Sequence, residues 1–415
     1  MNDLSPTAIR PDTAPRTEEP YSEDWAALAK SLADEFRPGA AARDASGELP
    51  VEQVRRLRET GLVNLLYPAE LGGGGGSIHD AAHAVYEIAR ADASVGALLC
   101  FHFYNSLVPL LLDYNGANDH VAKEAAARRW QWGNVTQYVN KDFVAEPHPE
   151  GGFTITGVKK WNTGTPLAEH TTLLLVHPDR DHYIYAHIPT NRAGLVFHDD
   201  WDQIGLRGAD SSTLTFNAVR VHADEVLHWG HGGVQELVLP LWTTFGAIFY
   251  SAVYLGATQG ALDAAREFAT GARRQSTLPG AQVTADDVLV QNHYGQLWIK
   301  QQAALAYFDQ IIAKTQALWD RRHNSTPEDR AVIATETLAL RSHSSNTALD
   351  ITAQIFEFGG GRTTNRALSF DRYWRDVRTL STHDPITLAV KNVGAYALFG
   401  RPVQYPSHFQ PVKRP

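Results

Sequence analysis

Apolar residues recur at three- and four-residue spacing near the start of the chain, at Trp25, Leu28, Leu32 and Phe36 and again at Val51, Val54, Leu57 and Leu62. Side chains at that period share one face of a helix, so residues 22–128 read as amphipathic helices. Tyr67-Pro68 and Leu71, followed by five glycines at 72–76, break the pattern. Gly and Pro inside a helix cost roughly 1 and 3 kcal/mol against Ala, so a loop belongs there. Between 132 and 227 the period falls to two, in 153–158, 172–176, 183–188 and 213–221. That alternation predicts an antiparallel β unit. From 234 to 398 the helical period returns, with long segments at 288–319 and 331–358 separated by Ser, Thr, Pro and Gly. The fold class is therefore α+β, mostly α. Its expected parts are an arm (1–20), a helical domain (21–130), a β domain (131–233), a helical bundle (234–400) and a tail (401–415). No repeat of fixed period is present.

With 415 residues and 43% apolar composition the chain has material for two or three packed units. Its 37 basic and 46 acidic residues leave a net charge of -9, the wrong sign for a sequence-independent binder of nucleic-acid phosphates. The single cysteine, Cys100, sits in an apolar run. It offers neither a disulfide framework nor a CxxC metal site, which fits a reducing cytoplasm. Residues 1–20 are rich in Pro, Thr and charge, lack the apolar core of a signal peptide and read as a mobile arm. The stretch 237–257 is long enough to span a membrane and carries no charge. Pro240, Thr243, Thr244, Gly246 and Ser251 dilute it, however, and it has no second span to pair with. It reads as a helix buried on all sides within a bundle and an oligomer, with no membrane partner.

The glycines at 72–76 join helical regions without the preceding strand of a dinucleotide fingerprint. No GxxxxGK[ST], HExxH or GxSxG occurs. His228 and His231, in HWGHGG, have no carboxylate at ligand spacing, and no metal is assigned to them.

Four segments in chain order resemble the acyl-CoA dehydrogenase superfamily: GLVNLLYPAELGGGG (61–75), GVKKWNTG (157–164), DDWDQIGLRGADSSTLTFNAVRVHADEVL (199–227) and FGGGRTTNRALSFDRYWRDVRTLSTHDP (358–385). The resemblance implies that superfamily's plan, a helical domain, an antiparallel β domain and a C-terminal four-helix bundle, assembled as a homotetramer. Within the superfamily the chain is most similar to the dibenzothiophene and sulfone monooxygenases. These take FMNH2 from a separate NAD(P)H:flavin reductase and oxygenate sulfides, sulfoxides, sulfones or sulfinates with O2 through a C4a-peroxyflavin. The dehydrogenases commonly carry a glutamate base near the last segment, where this chain has His383 and Asp384. An acyl-CoA dehydrogenase using FAD and a CoA thioester, an FMNH2-dependent amine N-hydroxylase and a cofactor-free scaffold are the alternatives.

The resemblance also implies a site. Trp161 lies against the isoalloxazine, Thr163 and Asn134 bond its polar edge, and Trp201 belongs to the same cofactor shell. The phosphate needs guanidinium forks and free amides. Gly359, Gly360, Gly361 and Arg362 offer both, with Arg274 reaching a neighbouring subunit's flavin and Arg273 as its competitor. His383, tuned by Asp384, is the expected proton donor, the alternative being a capping pair ahead of Pro385. His102 is a candidate pocket histidine or a satisfied core histidine. Tyr104, Asn105 and the aromatic run 242–250 complete the substrate wall.

Overall fold

The computed structural model describes residues 21–22, 24–112, 116–137, 143–176, 183–227, 234–271 and 283–403. The first domain holds seven helices: α1 (Trp25–Phe36), α2 (Ala40–Ser46), α3 (Val51–Glu59), α4 (Ile78–Ala91), α5 (Ala93–Ser106), α6 (Val108–Leu112) and α7 (Asp119–Arg128). Three of them start on side chains that accept from otherwise unpaired backbone amides. Asp24 caps α1, Ser77 and Asp80 form a reciprocal capping box on α4, and Asp92 caps α5. The glycine loop folds back on its own approach, with Gly74, Gly75 and Gly76 donating to the carbonyls of Asn64, Tyr67 and Leu65. A Cβ at Gly73 would fall 2.1 Å from the Tyr67 carbonyl oxygen, so close chain packing accounts for glycine there.

The β domain departs from the wholly antiparallel expectation. β1 (Trp132–Val135), β4 (His170–Val176) and β5 (Tyr183–Pro189) form one sheet, in which β1 runs parallel to β4. β2 (Val144–Pro147), β3 (Phe153–Lys159), β7 (Leu214–Val221) and β6 (Leu195–Phe197) form a second sheet that is antiparallel throughout. β1 escapes the period-two pattern because all four of its residues are buried, as befits a parallel strand covered on both faces. Val135, Ile155, Leu173, Leu175, Ile188, Phe216 and Val219 fill the core of the domain.

The C-terminal part comprises α8 (Val234–Gly271), α9 (Val288–Asp320), α10 (Pro327–Gln354), α11 (Asp371–Ser381) and α12 (Ile386–Phe399). The expected helix 331–358 ends its regular part at Gln354 and tightens into a 3-10 turn at Ile355–Phe358. α8 packs on α4, α5 and α10, which buries Phe245, Ile248, Phe249, Val253 and Tyr254 and explains the uncharged stretch 237–257 as a core helix. Among the described residues, the one stretch long and apolar enough to cross a membrane is Ala93–Leu112, and 94% of it is buried inside the fold.

Candidate functional site

Trp161 lies two residues beyond the end of β3, outside regular secondary structure. Its backbone is left-handed (φ 64°) and its indole is 51% exposed. Its ring stands 6.0 Å from that of Trp201, edge-on at 88°, and Trp201 Nε1 donates to the Leu206 carbonyl (2.9 Å). Leu206 and Asp210 are also non-glycine residues with positive φ, at 51° and 35°. The turn after Trp161 is tied to this loop, because Gly164 N donates to Asp210 O (2.8 Å). Such conformations cost about 1–3 kcal/mol each and gather where a surface must be held in one shape.

A buried polar row runs inward from this turn. Thr163 Oγ1 bonds Ser211 Oγ (2.7 Å), and the Thr163 carbonyl accepts from Asn134 N (3.2 Å). Asn134 Oδ1 accepts from Thr136 Oγ1 (2.7 Å) and from Asn105 Nδ2 (3.2 Å). Asn105 Oδ1 is buried without a partner, a condition that folded proteins seldom leave uncorrected. The structure thus joins Asn105, expected at the substrate wall, to Asn134 and Thr163, expected at the flavin, in one hydrogen-bonded row. Sequence reasoning missed Lys159 at the foot of the row. Its ammonium bonds the carbonyls of Gln137 and Leu174 and lies 4.6 Å from the centroid of the Phe143 ring, and burial lowers its pKa to about 7.

A second group forms where α11 ends. The His383 ring packs against Phe101 of α5 and Tyr250 of α8, at centroid distances of 5.9 and 5.1 Å, and its Nε2 lies 3.3 Å from Tyr250 Oη. Its Nδ1 faces Asp384 Oδ2 (3.3 Å), and the same carboxylate takes a 2.6 Å bond from Arg341 Nη1 of α10. Burial pushes the Asp384 carboxyl up, but His383 and Arg341 outweigh that and hold it well below the usual carboxylate range. Arg341 is 7% exposed, its guanidinium lies 4.8 Å from the Tyr250 ring centroid, and its Nε and Nη2 are buried without partners. The capping alternative fails: the N-cap of α12 is Pro385, with no side-chain bond, and the Asp384 carboxylate is spent on Arg341 and His383.

His102 is not a pocket residue. It is fully buried, its Nδ1 accepts from Trp132 N (3.1 Å), and its Nε2 lies 2.7 Å from the Val63 carbonyl. An amide can only donate, so Nδ1 carries no proton and Nε2–H donates to Val63. Burial lowers the ring's pKa to about 4, leaving it neutral. His102 pins α5 to β1 and to the turn at Leu62–Asn64. Tyr104 stacks on Trp242 at 4.2 Å and 13°, so with Phe101 and Tyr250 the two make an aromatic wall.

The glycine-arginine loop lies elsewhere, against the last turns of α8. Gly360 alone of residues 359–361 has positive φ (55°), Gly359 abuts Phe268, and the exposed Arg362 lies 5.4 Å from the Phe268 ring centroid. Arg273 and Arg274, like His228 and His231, lie outside the described residues. The residues present fit a flavin. A half-exposed indole backed by Trp201 offers a flat apolar face, Asn134 and Thr163 offer polar contacts, and Arg362 at the surface offers a fork for phosphate.

Residues 23–124 match the acyl-CoA dehydrogenase N-terminal domain and residues 248–387 the acyl-CoA dehydrogenase C-terminal domain. The chain is 34% identical over 407 residues to dibenzothiophene monooxygenase of Rhodococcus erythropolis, covering 94% of this chain and 96% of that protein. It is 30% identical over 373 residues to the probable FMNH2-dependent monooxygenase SfnC of Pseudomonas putida, covering 90% and 94%. The crystal structure of FMN-bound TdsC from Paenibacillus sp. A11-2 superposes with a TM-score of 0.86 at 30% identity, over 91% of this chain and 98% of that one. The chain therefore has the acyl-CoA dehydrogenase fold and belongs to the acyl-CoA dehydrogenase superfamily, in the family of the dibenzothiophene monooxygenases.

Proposed function

We propose that the protein is a two-component monooxygenase that uses reduced FMN and O2 to oxygenate a small organosulfur compound: a sulfide, sulfoxide, sulfone or sulfinate. The observation that carries this reading is His383 packed against Phe101 and Tyr250, beside a carboxylate engaged by Arg341. Asp384 is held as an anion by Arg341 and His383, and a carboxylate stabilised in its charged form is a weak proton acceptor. The names of the relatives, one FMNH2-dependent and one bound to FMN, support the same cofactor.

Reduced FMN, when bound, supplies the electrons that activate O2 for transfer of one oxygen atom. Trp161, backed edge-on by Trp201, would hold the ring, Asn134 and Thr163 would orient its polar edge, and Arg362 would meet the phosphate. Asp384 holds the proton on His383 Nδ1 and leaves Nε2, beside Tyr250 Oη, to donate or accept a proton within the chamber. Phe101, Tyr104, Trp242 and Tyr250 form the apolar side of that space. A separate NAD(P)H:flavin reductase supplies the cofactor.

Replacing His383 tests the assignment. His383→Ala should still bind reduced FMN and consume O2, but product per FMNH2 should fall by about 10² to 10⁴, with hydrogen peroxide released instead. Product and peroxide are measured in one reaction, with thermal melting as the control for folding. A folded, fully coupled variant would remove His383 from the mechanism.

A further inference from the structure

We propose that His79, His83 and Asp309 form a binding site for a divalent metal ion of the zinc class, which clips α4 to α9. His79 and His83 stand one turn apart on α4, so their rings share one face, with centroids 4.3 Å apart. Asp309 of α9 lies opposite, its Oδ1 3.0 Å from His83 Nε2. One ligand atom from each of the three residues lies within 4.8 Å of the others. Zinc takes imidazole nitrogen and carboxylate oxygen at about 2.0 to 2.2 Å, which needs ligands little more than about 3 Å apart. Small rotations of the side chains, His79 and Asp309 being exposed, close that gap.

A hydrogen bond between His83 and Asp309 does not account for the second imidazole drawn against the first. Two imidazoles side by side gain from a shared cation, and a carboxylate facing both offsets part of its charge. His83 is held in place by Phe308 and Tyr86, at ring distances of 5.8 and 6.3 Å. Asp80 lies 4.0 Å from His79 Nδ1 but is engaged in the capping box with Ser77, so it serves as an outer partner. Two nitrogens and one oxygen suit zinc, nickel or copper and not magnesium or calcium, which prefer oxygen. Three protein ligands leave a position for water on the open side. The ion would fasten the N-terminal domain to the bundle, two parts otherwise joined here by packing of α4 on α8 and α9.

Tag-free protein stripped with chelator is titrated with Zn2+ by calorimetry and, with Mg2+ as control, followed by thermal melting. The expected result is a Zn2+ site in the wild type, with a melting temperature that rises with Zn2+ and not with Mg2+. His79→Ala and Asp309→Asn should each lose one ion per chain or weaken the site by at least about tenfold, since even outer partners of metal ligands carry that much. Circular dichroism of the metal-free variants should match the wild type. Absence of Zn2+ binding at micromolar concentration, or binding unchanged in both variants, overturns the proposal.

Discussion

Arg341 and Asp384 are 43 residues apart in sequence and 2.6 Å apart in the fold, and His383 owes its orientation to that pair. Removing the guanidinium leaves a carboxylate beside a ring that must hold one tautomer. Arg341→Gln should therefore cost roughly 1–3 kcal/mol, less than a fully buried pair because half of the Asp384 side chain meets solvent. Urea unfolding of Arg341→Gln, Asp384→Asn and the double variant checks this: the double variant should cost clearly less than the sum of the singles, and strict additivity would mean the pair does not interact. Trp161 and Thr163 were singled out because GVKKWNTG resembles a known segment. Arg341 and Phe101 were not marked as site residues, because a helical pattern does not tell a buried arginine from a solvated one when its partner comes from another element. His102 was left open between pocket and core for the same reason: its partners, Val63 and Trp132, lie 39 and 30 residues away.

The elements were largely legible, since long amphipathic and alternating segments carry their own period. What the pattern lacked was β1, β2 and β6, three strands of 4, 4 and 3 residues, too short to show alternation. The parallel pairing of β1 with β4 joins distant segments and leaves no local mark. One contact between elements gives a pH-dependent signature. Asp376 of α11 accepts from Leu206 N (2.6 Å), fastening the loop that carries Trp201. Burial raises its pKa from 3.8 to about 7, against the opposing effect of the Leu206 amide. The folded state thus binds this proton more tightly than the unfolded chain does. The stabilisation is complete below about pH 4 and is lost as pH rises through 7. Asp376→Asn keeps an acceptor for Leu206 and removes the titration. Its urea midpoint should gain on the wild type between pH 5 and pH 8, and a constant difference would place the Asp376 pKa near its ordinary value.

At the scale of the whole molecule, one chain leaves apolar surface uncovered. α12 has no buried residue and exposes Leu388, Val390, Leu398 and Phe399, while α9 exposes Val288, Leu289, Trp298 and Ile299. Exposed apolar faces of this size are commonly covered by another subunit, and we expect a homotetramer. Light scattering should give four chains at micromolar concentration, and a stable monomer would contradict this. The central claim, that the protein transfers oxygen to sulfur with reduced FMN, is tested most directly by reconstitution with a flavin reductase, NAD(P)H and FMN under ¹⁸O2. Mass spectrometry of products from a panel of sulfides, sulfoxides, sulfones and sulfinates should show one labelled oxygen atom, with no turnover when FMN is left out. Unlabelled product, or tightly bound FAD together with dehydrogenation of a CoA thioester, would contradict the account.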